Sequence, residues 1–149
     1  QSGFTLIELL LVLAIIGIIS AIAIPALLGQ RARAKAKAVG SMVANVAGEC
    51  ARVNDTLKET DPSVTAGSVV GSVLALANFQ YPAAKNPYGG TATPYTSTGT
   101  SNGSVVLLAQ PTFIDPATSK SYPAVLITGY FIDPSTNTAN STTKIVALD

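Results

Sequence analysis

One carboxylate, Glu8, stands in an apolar run reading FTLIELLLVLAIIGIISAIAIPALL over residues 4–28. Crossing a bilayer core as a helix takes about 20 apolar residues, and residues 9–28 supply that length. A carboxylate costs roughly 2.5–3.5 kcal/mol at the bilayer centre and less near the interface. A segment that served only as an anchor would carry leucine there. Glu8 is therefore expected to need a partner, and the segment is read as containing none.

The other reactive side chains are few. Histidine is absent and there is one cysteine, Cys50. The usual zinc ligand sets are missing, and no Ser–His or Cys–His dyad can form. The eight carboxylates are scattered, without the spacing of a calcium loop. Asp115 and Asp133, each followed by proline, read as turn residues. Tyr88-Gly89-Gly90 is too short for a phosphate loop. No catalytic, metal or cofactor site is expected, and the chain is expected not to be an enzyme. Asn54-Asp55-Thr56, Asn102-Gly103-Ser104 and Asn140-Ser141-Thr142 fit the glycosylation triplet and stay unassigned.

Arg31, Arg33, Lys35 and Lys37 directly follow the apolar run. Alternating bases spread around a helix, and this level suits lipid headgroups. No specific nucleic-acid partner is predicted, since a basic cluster alone is a weak footprint. By the positive-inside rule these bases alone would hold the C-terminal side in the cytoplasm. A secretory signal has its bases before a shorter apolar stretch, so a basic leader upstream of Gln1 is expected. Net charge is +1 and charged residues make up 11%, so no global charge points to a partner.

The elements that must carry these residues follow from pattern. The 149 residues divide into a hydrophobic transmembrane or filament-core helix at 1–30 and a small head at 31–149. Residues 31–59 continue helical and alanine-rich, with Val39, Val43, Val46, Cys50, Val53 and Leu57 recurring at steps of 4 and 3. Cys50 lies inside that stripe, so it is expected to be buried as a small hydrophobe. Gly29, Gly40 and Gly48 each weaken a helix by about 1 kcal/mol against alanine. Close approach of another helix is expected to compensate. Pro25 removes a backbone donor and kinks or breaks a helix; with Gly17 it brackets the weakest stretch. Asp61-Pro62 stops the helix. Residues 64–76 read as a short helix or irregular connection within a loop region at 60–103. Tyr81, Tyr88 and Tyr95 each stand beside a proline in it. Strands are predicted at 104–110, 122–132 and 143–148. The fold class is α+β, a long helix packed on a small antiparallel sheet.

Gly3-Phe4-Thr5-Leu6-Ile7-Glu8, followed by about 20 apolar residues, resembles the class III signal of type IV prepilins and related pseudopilins. The resemblance covers residues 1–37. It implies cleavage by a prepilin peptidase between Gly3 and Phe4, then N-methylation of Phe4. Glu8 matches the family's glutamate, whose partner in the assembled state is the free amine of a neighbour's Phe4. If residues 1–3 persist, that amine is lost or replaced by the one at Gln1. Gly17 and Pro25 match the family's helix-interrupting residues, and the stretch between them is expected to unwind in a filament. Many type IV pilins pin a C-terminal loop by a disulfide; with Cys50 alone this chain must hold that region otherwise. The resemblance implies a homo-oligomeric helical filament, an inner-membrane pool before assembly, and partners in the peptidase and the pilus assembly machinery. The expected location is the inner membrane, then an extracellular pilus. The alternatives are a type II secretion pseudopilin, or a monomeric membrane-anchored exported binding domain.

Overall fold

Thr5 begins the first helix. In the computed structural model, which describes residues 3–80, 85–89 and 94–148 (those at 77–80 by their backbone alone), α1 (Leu6–Thr60) is a continuous 55-residue helix. At 1.5 Å per residue that is about 80 Å of rod. It ends one residue beyond the sequence expectation. The Asp61 N–H donates to Leu57 O at 2.8 Å, and the Asp61 carboxylate accepts from Ser63 N and Oγ at 2.8 and 2.6 Å. Pro62 then prevents continuation. Leader residues Gln1 and Ser2, Tyr81, and the loop positions 82–84 and 90–93 lie outside the described residues.

The helix divides by burial. Residues 3–19 are exposed, whereas Val39, Val43, Val46, Ala47, Cys50, Val53 and Asn54 are buried. The predicted stripe is therefore the packed face, with Leu57 half-buried at its end. Within the single chain nothing approaches Gly29, Gly40 or Gly48: a Cβ at any of them would meet nothing within 4 Å.

The second helix, α2 (Ala66–Gln80), resolves the ambiguous stretch and enters the segment read as loop at 78–80. Thr65 Oγ1 caps it by accepting from Ser68 N at 3.3 Å. Val69, Val70 and Val73 bury one face.

Four strands form one sheet in the order β1 (Tyr95–Thr96), β2 (Val105–Ile114), β3 (Ser121–Ile132), β4 (Ala139–Ala147). The last three pair antiparallel as expected. β1 was not foreseen, and it pairs parallel with β2 through Tyr95↔Val105 and Thr96↔Val106. β2 runs past residue 110 through an irregularity between Gln110 and Phe113. Pro111 lies there, where its missing donor is tolerated.

Both hairpin turns share one device. The N–H of Ser119 donates to Asp115 O and that of Asn137 to Asp133 O, each at 2.8 Å. Ser119 and Asn137 hold φ of 57° and 54°. Thr118 Oγ1 and Ala117 N hold the Asp115 carboxyl below the usual range; Ser135 does so for Asp133. The turn at Asp133 closes so tightly that β4 starts at Ala139, paired with Ile132, and not at 143.

One sheet face, with Val105, Leu107, Val125 and Ile127, covers α1 and α2 in a single core. Gly129 sets the distance: a Cβ there would stand 2.6 Å from both Val39 Cγ1 and Val43 Cγ2. Only a residue without a side chain lets α1 lie this close to the central strand.

Candidate functional site: the apolar helix and its basic collar

The exposed half of α1 is apolar on every side. Leu9, Leu10, Leu11, Val12 and Leu13, five successive positions, are 45–60% exposed. Successive helical residues are 100° apart, so no face is covered. One 18-residue window reaches mean hydropathy 2.9 with none of it buried, and it is the one candidate membrane span among the described residues. Such a surface must be covered by lipid or by other protein.

At its start Glu8 is not alone. Thr5 N and Thr5 Oγ1 donate to Glu8 Oε2 at 3.1 and 3.0 Å, and Glu8 N donates to Thr5 Oγ1 at 3.3 Å. This is a reciprocal capping box. The expectation that the segment holds no partner for Glu8 is thereby corrected in one respect: neutral donors are supplied locally, while a cation is not. Thr5 was missed, although the spacing Thr-x-x-Glu at 5–8 is the sequence signature of such a box. Both bonds that Thr5 donates fall on Oε2, which leaves Oε1 open for a second partner among the described residues. Phe4 is 83% exposed and Gly3 is also exposed. The helix passes Gly17 and Pro25 without a break in the single chain. The interruption implied at these residues is therefore absent from the isolated subunit's secondary structure.

Where the apolar stretch ends, the head meets the helix. Tyr88 Oη donates to Ile132 O at 3.2 Å and accepts from Ile132 N at 3.1 Å. Asn86 shapes this loop: its Oδ1 accepts from Tyr88 N at 2.8 Å and its Nδ2 donates to Asn102 O at 2.9 Å. Lys35 Nζ lies 5.3 Å from the centre of the Tyr88 ring, a cation–π distance. Leu28, Ala32, Lys35, Tyr88, Ile132, Pro134 and Asn137 enclose a groove of about 260 Å³. The sequence placed Lys35 in the collar but gave no sign of Tyr88, which lies 53 positions away.

Cys50 is fully buried, as the stripe implied. Burial, with the neighbouring Glu49 charge adding to it, pushes its thiol up to about 12. Glu49 itself is ion-paired to Arg52. Asn54 is 5% exposed, so the triplet that begins there is closed to modification in the folded head.

Residues 1–24 match the model of the prokaryotic N-terminal methylation motif. No curated protein and no solved structure matches the chain. The matched motif is a class III signal, and with the long apolar helix it is consistent with the type IV pilin family. It supports a type IV pilin-like or pseudopilin precursor, anchored by an apolar helix and handled by prepilin peptidase and an assembly machinery.

Proposed function

We propose that the chain is a structural subunit, without catalytic activity, that polymerises into an extracellular type IV pilus-like filament. The observation that carries this reading is the apolar half of α1, exposed on all sides beneath a methylation motif. In the inner-membrane pool lipid covers it; in a filament, copies of the same helix would replace the lipid.

Cleavage between Gly3 and Phe4 leaves a free amine on Phe4 for methylation. Thr5 stays in the mature chain, so the capping box survives processing. Glu8 Oε1 then remains available to the Phe4 amine of a neighbour. A charge brought unpaired into a bundle of low dielectric is expensive, so this pairing would set axial register: a misplaced subunit leaves both charges unpaired. Gly17 and Pro25 bracket the stretch that would unwind as helices pack.

The test is Glu8→Gln in cells that make the filament. Glutamine still serves a capping box, so the substitution removes the charge and keeps the local cap. Variant subunits should insert and be cleaved, yet yield few filaments in the sheared fraction. A normal filament yield refutes the pairing. Long sheared filaments of the wild-type chain distinguish a pilus from a pseudopilus, and chain confined to membranes favours a monomeric anchored domain.

A further inference from the structure

We infer that the groove between the apolar helix and the head is a binding site for the phosphate headgroup of one anionic membrane phospholipid. The inference rests on the membrane-anchored reading of α1 and goes beyond it by assigning a site.

Position is the first argument. Leu28, Ala32 and Lys35 succeed one another at steps of 4 and 3 along one helix face. Leu28 closes the apolar stretch, and Lys35 lies about 10 Å further along the axis. The headgroup region adds about 5–7 Å on each side of the hydrocarbon core. A lysine stem bends back along apolar surface by a few ångströms, which brings its ammonium to phosphate level.

Composition is the second. Leu28, Ala32, Ile132 and Pro134 give the groove apolar walls, while Lys35 and Asn137 bring polar groups. A free phosphate ion has no use for the apolar part; a phospholipid does. The volume of about 260 Å³ is below the roughly 300 Å³ at which drug-sized sites begin, and suits a headgroup with its glycerol. The Tyr88 hydroxyl is committed to Ile132. Its ring instead fixes where the Lys35 ammonium sits.

Charge is the third. Residues 9–48 contain four bases and no carboxylate. Arg31, one turn before Lys35, adds a second cation on the same side. The acid nearest in sequence to the groove is Asp133, whose Oδ1 is turned into its own hairpin by Ser135. The lining of the groove thus brings one cation, Lys35, and no carboxylate of its own.

The test uses the full chain reconstituted in nanodiscs of equal phosphatidylglycerol and phosphatidylcholine, then released for native mass spectrometry. The expected result is one phosphatidylglycerol retained per chain. Lys35→Gln should lower that retention about tenfold or more, the loss of a charge-assisted hydrogen bond to the phosphate. Arg33→Gln removes the same charge from outside the groove and should cost no more than about fivefold, the general effect of one base near an anionic surface. Protection of Cys50 from thiol reagents reports that both variants remain folded. Equal retention of the two lipids overturns the proposal, as does an equal loss in both variants or no loss in Lys35→Gln. Lipid-free dimers would place a second copy in the groove and overturn it as well. Chains that insert normally but keep no lipid refute this site alone; chains that fail to insert refute the membrane reading with it.

Discussion

Gly129→Ala should destabilise the head through a contact the structure defines to within a few atoms. The new methyl would stand 2.6 Å from Val39 Cγ1 and Val43 Cγ2, well inside van der Waals contact. Val39 and Val43 are 0% and 4% exposed. A helical valine keeps one χ1 rotamer about 90% of the time, so neither methyl turns away cheaply. The strand cannot retreat either, because Gly129 pairs with Val105 on one side and Thr142 on the other. Overpacking of this kind costs about 1–3 kcal/mol. Loss of glycine's unfolded-state freedom offsets about 0.5–1 kcal/mol. The net should be a loss of up to about 2.5 kcal/mol, or up to roughly 10 °C in Tm at about 4 °C per kcal/mol for a head of this size. The assay is pulse labelling of Cys50 across a temperature ramp of the full chain in detergent. Far-UV circular dichroism would mix in the detergent-held half of α1, whereas Cys50 opens only with the packed stripe. Gly40→Ala, with nothing within 4 Å, should move Tm the other way by the helix advantage of about 1 kcal/mol. Adding Val43→Ala to Gly129→Ala should cost less than the sum of the two alone. A Gly129→Ala chain that opens at or above the wild-type temperature, or strict additivity with Val43→Ala, refutes the contact.

Intact mass of cell-derived subunit should correspond to a chain starting at methylated Phe4, and substitution of Gly3 should impair cleavage most; a mature chain that keeps residues 1–3 in a strain with active peptidase would contradict this. Cys50 should label slowly when native and quickly after denaturation, with Cys50→Ala costing little and Cys50→Asp far more by burying a charge. Its thiol pKa is raised from 9.0 to about 12, so the folded state retains a proton that the unfolded state loses. The stability this confers is complete below pH 9 and falls as pH rises toward 12, by about 1.4 kcal/mol per pH unit; Cys50→Ala should show the shallower decline. Tyr88→Phe removes the hydroxyl that serves both Ile132 backbone groups and should cost about 0.5–1.5 kcal/mol, seen as faster hydrogen exchange at the end of β3. Unchanged exchange there would show that water replaces the hydroxyl without loss.

What one segment dictates about itself was legible. The apolar run needs no partner to declare a helix long enough for a bilayer. The steps of 4 and 3 from Val39 to Leu57 announced the packed face and with it the burial of Cys50. Asp-Pro turns at 115 and 133 carry their own hydrogen bonds and stood where expected. The Thr5–Glu8 cap belongs to the same legible kind, since its whole geometry lies within four residues. Residues 64–80 were less clear, because alternating small and branched side chains have no sharp period and helix α2 is stabilised by burying Val69, Val70 and Val73.

Other features exist only through meetings of distant segments. β1 is two residues long and has no pattern of its own; its parallel register comes from β2. Within the chain the close approach lies between α1 and the sheet, away from the helical glycines of α1. It needs Gly129 some 90 positions from Val39, and nothing in the local sequence around either residue encodes the distance between them. The groove likewise required Lys35, Tyr88 and Ile132 to converge from a helix, a loop and a strand end. The sequence by itself determined the apolar rod, the buried stripe and the turns, because periodicity and capping act over a few residues. The tertiary structure decided where the head's loop meets the collar and which glycine is indispensable, because those depend on the register between elements that local interactions leave free.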